Sequence, residues 1–108
     1  MLAVILESGE PTRLYTAFSL LVSTAVEGEA AHGLVSFGAL PALLGPPADA
    51  SFAELRATAG EAGVRLAVCS AALDATGLDR AEVERRIGPV SSTPRFLKET
   101  AGARLVVV

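Results

Sequence analysis

The chain has 108 residues, a net charge of −3 and a hydrophobic share of 51%, which predicts one domain, residues 1–108, built on a single core. Its nine lysines and arginines are scattered, so no basic stripe exists for nucleic acid, and the low charged share of 19% predicts that a partner subunit covers some surface. One cysteine excludes an internal disulfide. Because neither a signal peptide nor an apolar span of membrane length is visible, the chain is expected to be cytosolic, with no membrane contact.

The first third of the chain predicts a strand, a helix and a second strand. The continuous apolar run Leu2–Leu6 is typical of a strand covered on both faces, as in parallel sheets. After Pro11, apolar residues recur at helical spacing and predict an amphipathic helix over residues 12–27. The next apolar run predicts a second strand over residues 33–37.

The middle of the chain predicts a broken segment, a helix and a third strand. Glycines and prolines interrupt residues 38–50, where a short helical turn fits. Ser51 and Glu54 form a capping-box pattern that opens the next helix. Residues 64–68 then predict a third strand, which ends at Cys69.

The last third continues the alternation of helix and strand. A short helix is predicted over residues 70–76, and Asp79 is the predicted cap of a helix over residues 80–87. Thr93 starts a last short helix, and residues 103–108 form a terminal apolar strand. This alternation predicts an α/β fold with a mostly parallel sheet of four to five strands and helices on both faces.

Cys69 is the leading candidate for a chemical centre. Ligands of open α/β sheets bind at the carboxyl ends of the strands, and Cys69 lies at such an end. The amides and the dipole of the helix that follows stabilise a thiolate, which is both a nucleophile and a carrier of persulfide sulfur. The alternative is a small buried hydrophobic residue without chemistry, a common state of free cysteine.

The other candidates assist Cys69 or lie away from it. His32 begins a strand, at the edge opposite Cys69, so a structural or surface role is expected. Glu7 is expected to be a loop residue, because a carboxylate beside the sulfur would oppose thiolate formation. One His and one Cys predict no metal site, and no nucleotide motif occurs, so no cofactor is expected. The predicted binding residues, which turn the chain or hold an anion or persulfide through backbone amides, are Ser8, Gly9, Gly38 and Ser70.

The segment from Val68 to Leu78 combines a strand-end cysteine, a short helix and a glycine followed by a hydrophobic residue. It resembles the cysteine block of the DsrE/DsrF-like (TusD-like) sulfur-relay family, and the strand from His32 to Phe37 with the turn at Gly38 resembles the matching part of that family. The resemblance implies a three-layer α/β/α fold and a trimeric or hexameric homo-oligomer.

The same resemblance implies a sulfurtransferase-type carrier rather than a hydrolase. Cys69 would hold sulfane sulfur as a persulfide and pass it to a partner protein with a reactive cysteine. A protein of the same fold with an inert cysteine, serving as an oligomeric structural or small-ligand-binding protein, is the alternative.

Overall fold

The computed structural model describes all 108 residues, which form five strands and six helices. The strands are β1 (Leu2–Leu6), β2 (Ala31–Val35), β3 (Arg65–Cys69), β4 (Val90–Ser91) and β5 (Arg104–Val107). The helices are α1 (Pro11–Val26), α2 (Ala39–Leu44), α3 (Ala50–Glu61), α4 (Ser70–Thr76), α5 (Arg80–Arg86) and α6 (Thr93–Glu99). The prediction of an α/β fold built on a parallel sheet is confirmed.

The strands form one sheet in the order β4-β3-β2-β1-β5, and every neighbouring pair is parallel. From β1 to β4 the chain steps in one direction across the sheet. Right-handed crossovers therefore place α1, α3 and α5 on one face, called the α1 face here. The return from β4 to β5 crosses the whole sheet in the opposite direction, so α6 lies on the other face, called the α6 face.

The α1 face holds the best-packed part of the core. One stripe of α1 is apolar, and Leu14, Phe18 and Leu21 are buried along it. The ring of Phe18 meets Phe52 of α3 edge to face, with centroids 5.5 Å apart. This geometry is the one aromatic pairs prefer, so the contact fixes α3 against α1.

The α6 face is covered by one short helix, in which Phe96 is the buried residue. Beyond its reach the strands keep apolar side chains in contact with solvent: Leu105 is 51% exposed and Val107 58% exposed. The sequence of β5 is typical of a buried strand, but β5 is an edge strand of the sheet and its side chains on the α6 face are exposed.

Most predicted boundaries differ from the observed ones by a residue or so, and three differences have a clear physical cause. Strand β2 begins two residues earlier than predicted, because Ala31 pairs with Leu2 of β1. The predicted capping box at Ser51 is wrong, since the carboxylate of Asp49 accepts the N–H of Phe52 at 2.8 Å and starts α3 earlier. Strand β4 was not among the predicted strands, because its two residues are too few to show a period.

Candidate functional site

Cys69 is the last residue of β3 and also the residue that precedes α4. Its backbone is still extended, so the chain passes from strand to helix without an intervening loop. The amides of Ala71 and Ala72, in the first turn of α4, consequently face the sulfur, although neither completes a capping hydrogen bond. The sequence prediction of a cysteine at the junction of strand and helix matches this placement.

Hydroxyl groups from two other elements approach the same thiol. The Oγ1 of Thr93, at the start of α6, lies 3.9 Å from Sγ of Cys69. Ser36 follows β2 and is buried, and its hydroxyl is close enough to the sulfur to lower the pKa of Cys69. Strand β4 pairs Ser91 with Cys69 in register, which puts both side chains on the α6 face of the sheet.

These groups favour the thiolate form of Cys69. Burial of the thiol raises its pKa, but the Ala72 amide, the Thr93 hydroxyl, the Ala71 amide and the Ser36 hydroxyl together outweigh burial, so the pKa lies below its ordinary value. The side chain is nevertheless closed off, because the residue is only 3% exposed. Cys69 is therefore a buried thiol with a lowered pKa.

The other predicted binding residues lie, like Cys69, at the carboxyl end of the strands. Ser70 is the first residue of α4, and Gly38 is the residue that precedes α2. Ser8 and Gly9 follow β1, and β2 separates that strand from β3, so they stand about two strand spacings, roughly 10 Å, from Cys69. Their roles toward a ligand stay predictions.

Gly9 and Gly38 have a packing role that is visible directly. A Cβ on Gly9 would collide with the carbonyl oxygen of Gly38, and a Cβ on Gly38 would stand 2.9 Å from the carbonyl oxygen of Glu7. The loops after β1 and β2 therefore approach each other at a distance that excludes larger residues at both positions. Glu7 itself is exposed in its loop.

His32 lies at the amino end of the parallel strands, and Cys69 lies at their carboxyl end, as the place of His32 at the start of a strand predicts. It pairs in register with Arg65, and burial, followed by the positive charge of Arg65, lowers its pKa despite the opposing effect of Glu99. The imidazole is therefore held in its neutral form over a wider pH range than usual.

Two cavities lie on the α6 face, between the end of the sheet at which the strands begin and the end at which they finish. One cavity of about 340 Å³ is lined by His32, Arg65 and Glu99 among others, and a second of about 180 Å³ reaches Ser91. The two cavities are neighbours, because they share Ala67, Pro89 and Glu99, and together we call them the α6 groove. It extends from the start of β3, where Arg65 pairs with His32 of β2, to Ser91 of β4, and Cys69 lines neither cavity.

Sequence reasoning did not single out three of the residues around the thiol: Ser36, Ser91 and Thr93. Ser36 directly follows an apolar run, which is a usable signal for a strand end. Thr93 reaches Cys69 only because α6 crosses the sheet, so no local pattern could reveal the contact. No group of three or more metal-ligating side chains is arranged to hold an ion, and no helix combines the length and apolar character needed to span a bilayer.

Comparison with known proteins places the fold. No family model matches the chain, and no curated protein matches its sequence. The crystal structure of the ychN protein from E. coli, a DsrE/DsrF-like fold protein, is similar with a TM-score of 0.65 and 16% sequence identity. The match covers 99% of this chain and 97% of that chain, so it confirms the three-layer α/β/α fold that the sequence resemblance implied.

Proposed function

We propose that this protein is a sulfur carrier in which Cys69 holds sulfane sulfur as a persulfide and hands it to a cysteine of a partner protein. The observation that carries the proposal is the environment of the thiol: amides of α4 and hydroxyls of Thr93 and Ser36 favour its anionic form. A fold shared with a DsrE/DsrF-like protein supports the same function. The cytosolic location expected from the sequence fits it too.

The transfer needs no oxidant or cofactor, because sulfur moves between thiols. The Cys69 thiolate attacks the outer sulfur of a donor persulfide, R–S–SH, so a bond forms from Sγ to that sulfur and the donor's S–S bond breaks. The donor leaves as R–S⁻, and Cys69 becomes Cys69–S–SH. A thiolate of the acceptor protein then attacks the outer sulfur, and Cys69 leaves as a thiolate ready for another cycle.

The α6 groove lies near the covered thiol but does not reach it, because Cys69 lines neither of its cavities. Its upper cavity reaches Ser91, the register partner of Cys69, and Arg95 of α6 lines the same cavity. Opening the first turn of α6, which carries Thr93 over the sulfur, exposes the thiol to a donor or acceptor. The predicted amide donors at Ser8, Gly9, Gly38 and Ser70 border this edge of the sheet, and a homotrimer or homohexamer remains the assembly that the resemblance implies.

A second candidate function is a small-ligand-binding protein with an inert cysteine. Two observations favour it: Cys69 is only 3% exposed, and the largest cavity lies at the other edge of the sheet, beside His32 and Arg65. In that protein the thiol is a packing group and the α6 groove is the binding site.

Treating the folded protein with inorganic polysulfide and weighing it intact separates the two functions. The carrier gains the mass of one sulfur atom, loses it on addition of a small thiol, and Cys69→Ser gains none. Alkylation of the folded protein by iodoacetamide gives an independent readout of thiol access. A wild-type protein that neither gains sulfur nor is alkylated unless unfolded is the inert-cysteine protein.

A further inference from the structure

Ser91 carries the only buried side-chain nitrogen or oxygen atom of this protein that has no hydrogen-bond partner. A buried hydroxyl without a partner in the protein is costly, because the free energy of its lost hydration is not offset by a hydrogen bond. Buried polar groups are almost always paired, so an unpaired one points to a missing partner. The same residue is the register partner of Cys69 on the neighbouring strand.

The thiol does not supply that partner. Cys69 receives its hydroxyl contacts from Thr93 and Ser36, and Ser91 makes no hydrogen bond to the sulfur. A persulfide adds a second sulfur about 2.05 Å beyond the first, the length of an S–S bond. Side chains that pair across parallel strands share one face, so an atom added to Cys69 has the Ser91 hydroxyl within its surroundings.

The α6 groove provides space beside the pair. Ala67 lies two residues before Cys69 and therefore on the same face of β3. Both Ala67 and Ser91 line the cavity of about 180 Å³. An outer sulfur on Cys69 would therefore lie next to two residues that border this cavity, although Cys69 itself does not line it.

We propose that the Ser91 hydroxyl is a positioning residue for the outer sulfur of the Cys69 persulfide, to which it donates a hydrogen bond. This inference rests on the proposed sulfur-carrier function. The outer sulfur carries the negative charge of a persulfide anion, and a hydrogen bond to a charged acceptor is stronger than one to a neutral group. Ser91 thus favours the loaded protein over the empty one, whereas Thr93 and Ser36 act on the empty thiol.

The test is an equilibrium measurement with glutathione persulfide and glutathione at fixed ratios, with the loaded fraction read by intact mass. Ser91→Ala is expected to lower the equilibrium constant for loading about tenfold, the effect of one charge-assisted hydrogen bond. Its iodoacetamide rate should show the same pH profile as wild type, because the hydroxyl does not touch the empty thiol. Thr93→Val is the matched control, which shifts that pH profile upward.

The outcomes distinguish a failure of the carrier function from a failure of the role of Ser91. A wild-type protein that takes up no sulfur overturns the carrier function and this inference together. A wild-type protein that loads while Ser91→Ala loads equally well overturns the inference alone. The fold of Ser91→Ala should be as stable as wild type, since the lost hydroxyl had no partner, and Ser91→Thr should restore loading. A lowered melting temperature for Ser91→Ala would mean a structural hydroxyl and overturn the inference.

Discussion

The thiol of Cys69 experiences two opposing effects, and their balance decides what it can do. Burial alone would leave a neutral thiol with a raised pKa, as in most core cysteines. Amide and hydroxyl donors reverse that direction at this position. The result is a buried sulfur with a lowered pKa, so removal of the cover is a necessary step of the proposed transfer.

The lowered pKa of Cys69 makes a prediction about stability and pH. The folded-state pKa lies below the unfolded value of about 8.5, so the folded protein loses its thiol proton first as pH rises. The free energy of unfolding of wild type, minus that of Cys69→Ser, should therefore increase with pH through that window and level off above about pH 8.5. Urea titrations at a series of pH values measure the difference.

Thr93→Val supplies the internal check on this prediction. Removing the hydroxyl 3.9 Å from Sγ brings the folded pKa nearer the unfolded value, so the increase with pH should become smaller. A stability difference that stays flat, or that declines as pH rises, would show that burial wins and that Cys69 is an ordinary core thiol.

Four of the six helices begin at a residue whose side chain caps the first turn, and α3 shows how a cap can be predicted at the wrong residue. Asp49 and Ser51 are both good cap residues, and only Ser51 is followed three positions later by a glutamate, Glu54. The structure uses Asp49, whose carboxylate accepts the Phe52 N–H at 2.8 Å. A carboxylate at this end also complements the helix dipole, an advantage that a serine hydroxyl lacks.

Asp49→Ala is expected to lower the free energy of unfolding by about 1 kcal/mol, because the first amides of α3 lose their acceptor. Ser51→Ala, at an exposed position inside the helix, is the matched control and should change the free energy by less than about 0.5 kcal/mol. Urea denaturation of both variants tests this. A larger loss of unfolding free energy for Ser51→Ala than for Asp49→Ala would show that Ser51 caps the helix.

Elements with a strong local pattern were predictable, and those that depend on distant partners were not. The run Leu2–Leu6 was predicted with the bounds that β1 has, and Gly77 ends α4 in the left-handed conformation, with φ of +66°. Strand β4 exists only because Val90 and Ser91 pair with β3. For the same reason the cysteine of the candidate site was predictable from its strand end, whereas its hydroxyl neighbours were not.

At the scale of the whole molecule, the two faces of the sheet are unequally covered. The α1 face has three of the helices, and the α6 face has one helix of seven residues. Leu105 and Val107 of β5 stand open beside it, although such apolar strand residues are normally covered. The open part of the α6 face is therefore the surface that we expect the partner subunit, predicted from the low charge, to cover.

We predict that the protein forms a homo-oligomer and that the open part of the α6 face lies in its interface. Val107→Lys, 58% exposed on β5, should shift the assembly toward monomer, because a buried lysine would lack a partner. Light scattering at micromolar concentration measures the mass. Val26→Lys is the control, since this residue is 65% exposed at the end of α1, away from that face. A monomeric wild type, or equal effects of both substitutions, would contradict the prediction.

The strand order also has a kinetic consequence. Strand β1 stands next to β5 in the finished sheet, although Leu2 and its partner Arg104 lie almost a full chain length apart. Contacts of such long sequence separation form late, because the loop between them must close first. During synthesis β1 leaves the ribosome early, and the backbone amides and carbonyls on one of its sides stay unpaired until β5 has been made. We therefore expect β5 to dock late in folding, and until it does the unpaired side of β1 is where two chains would pair wrongly with each other.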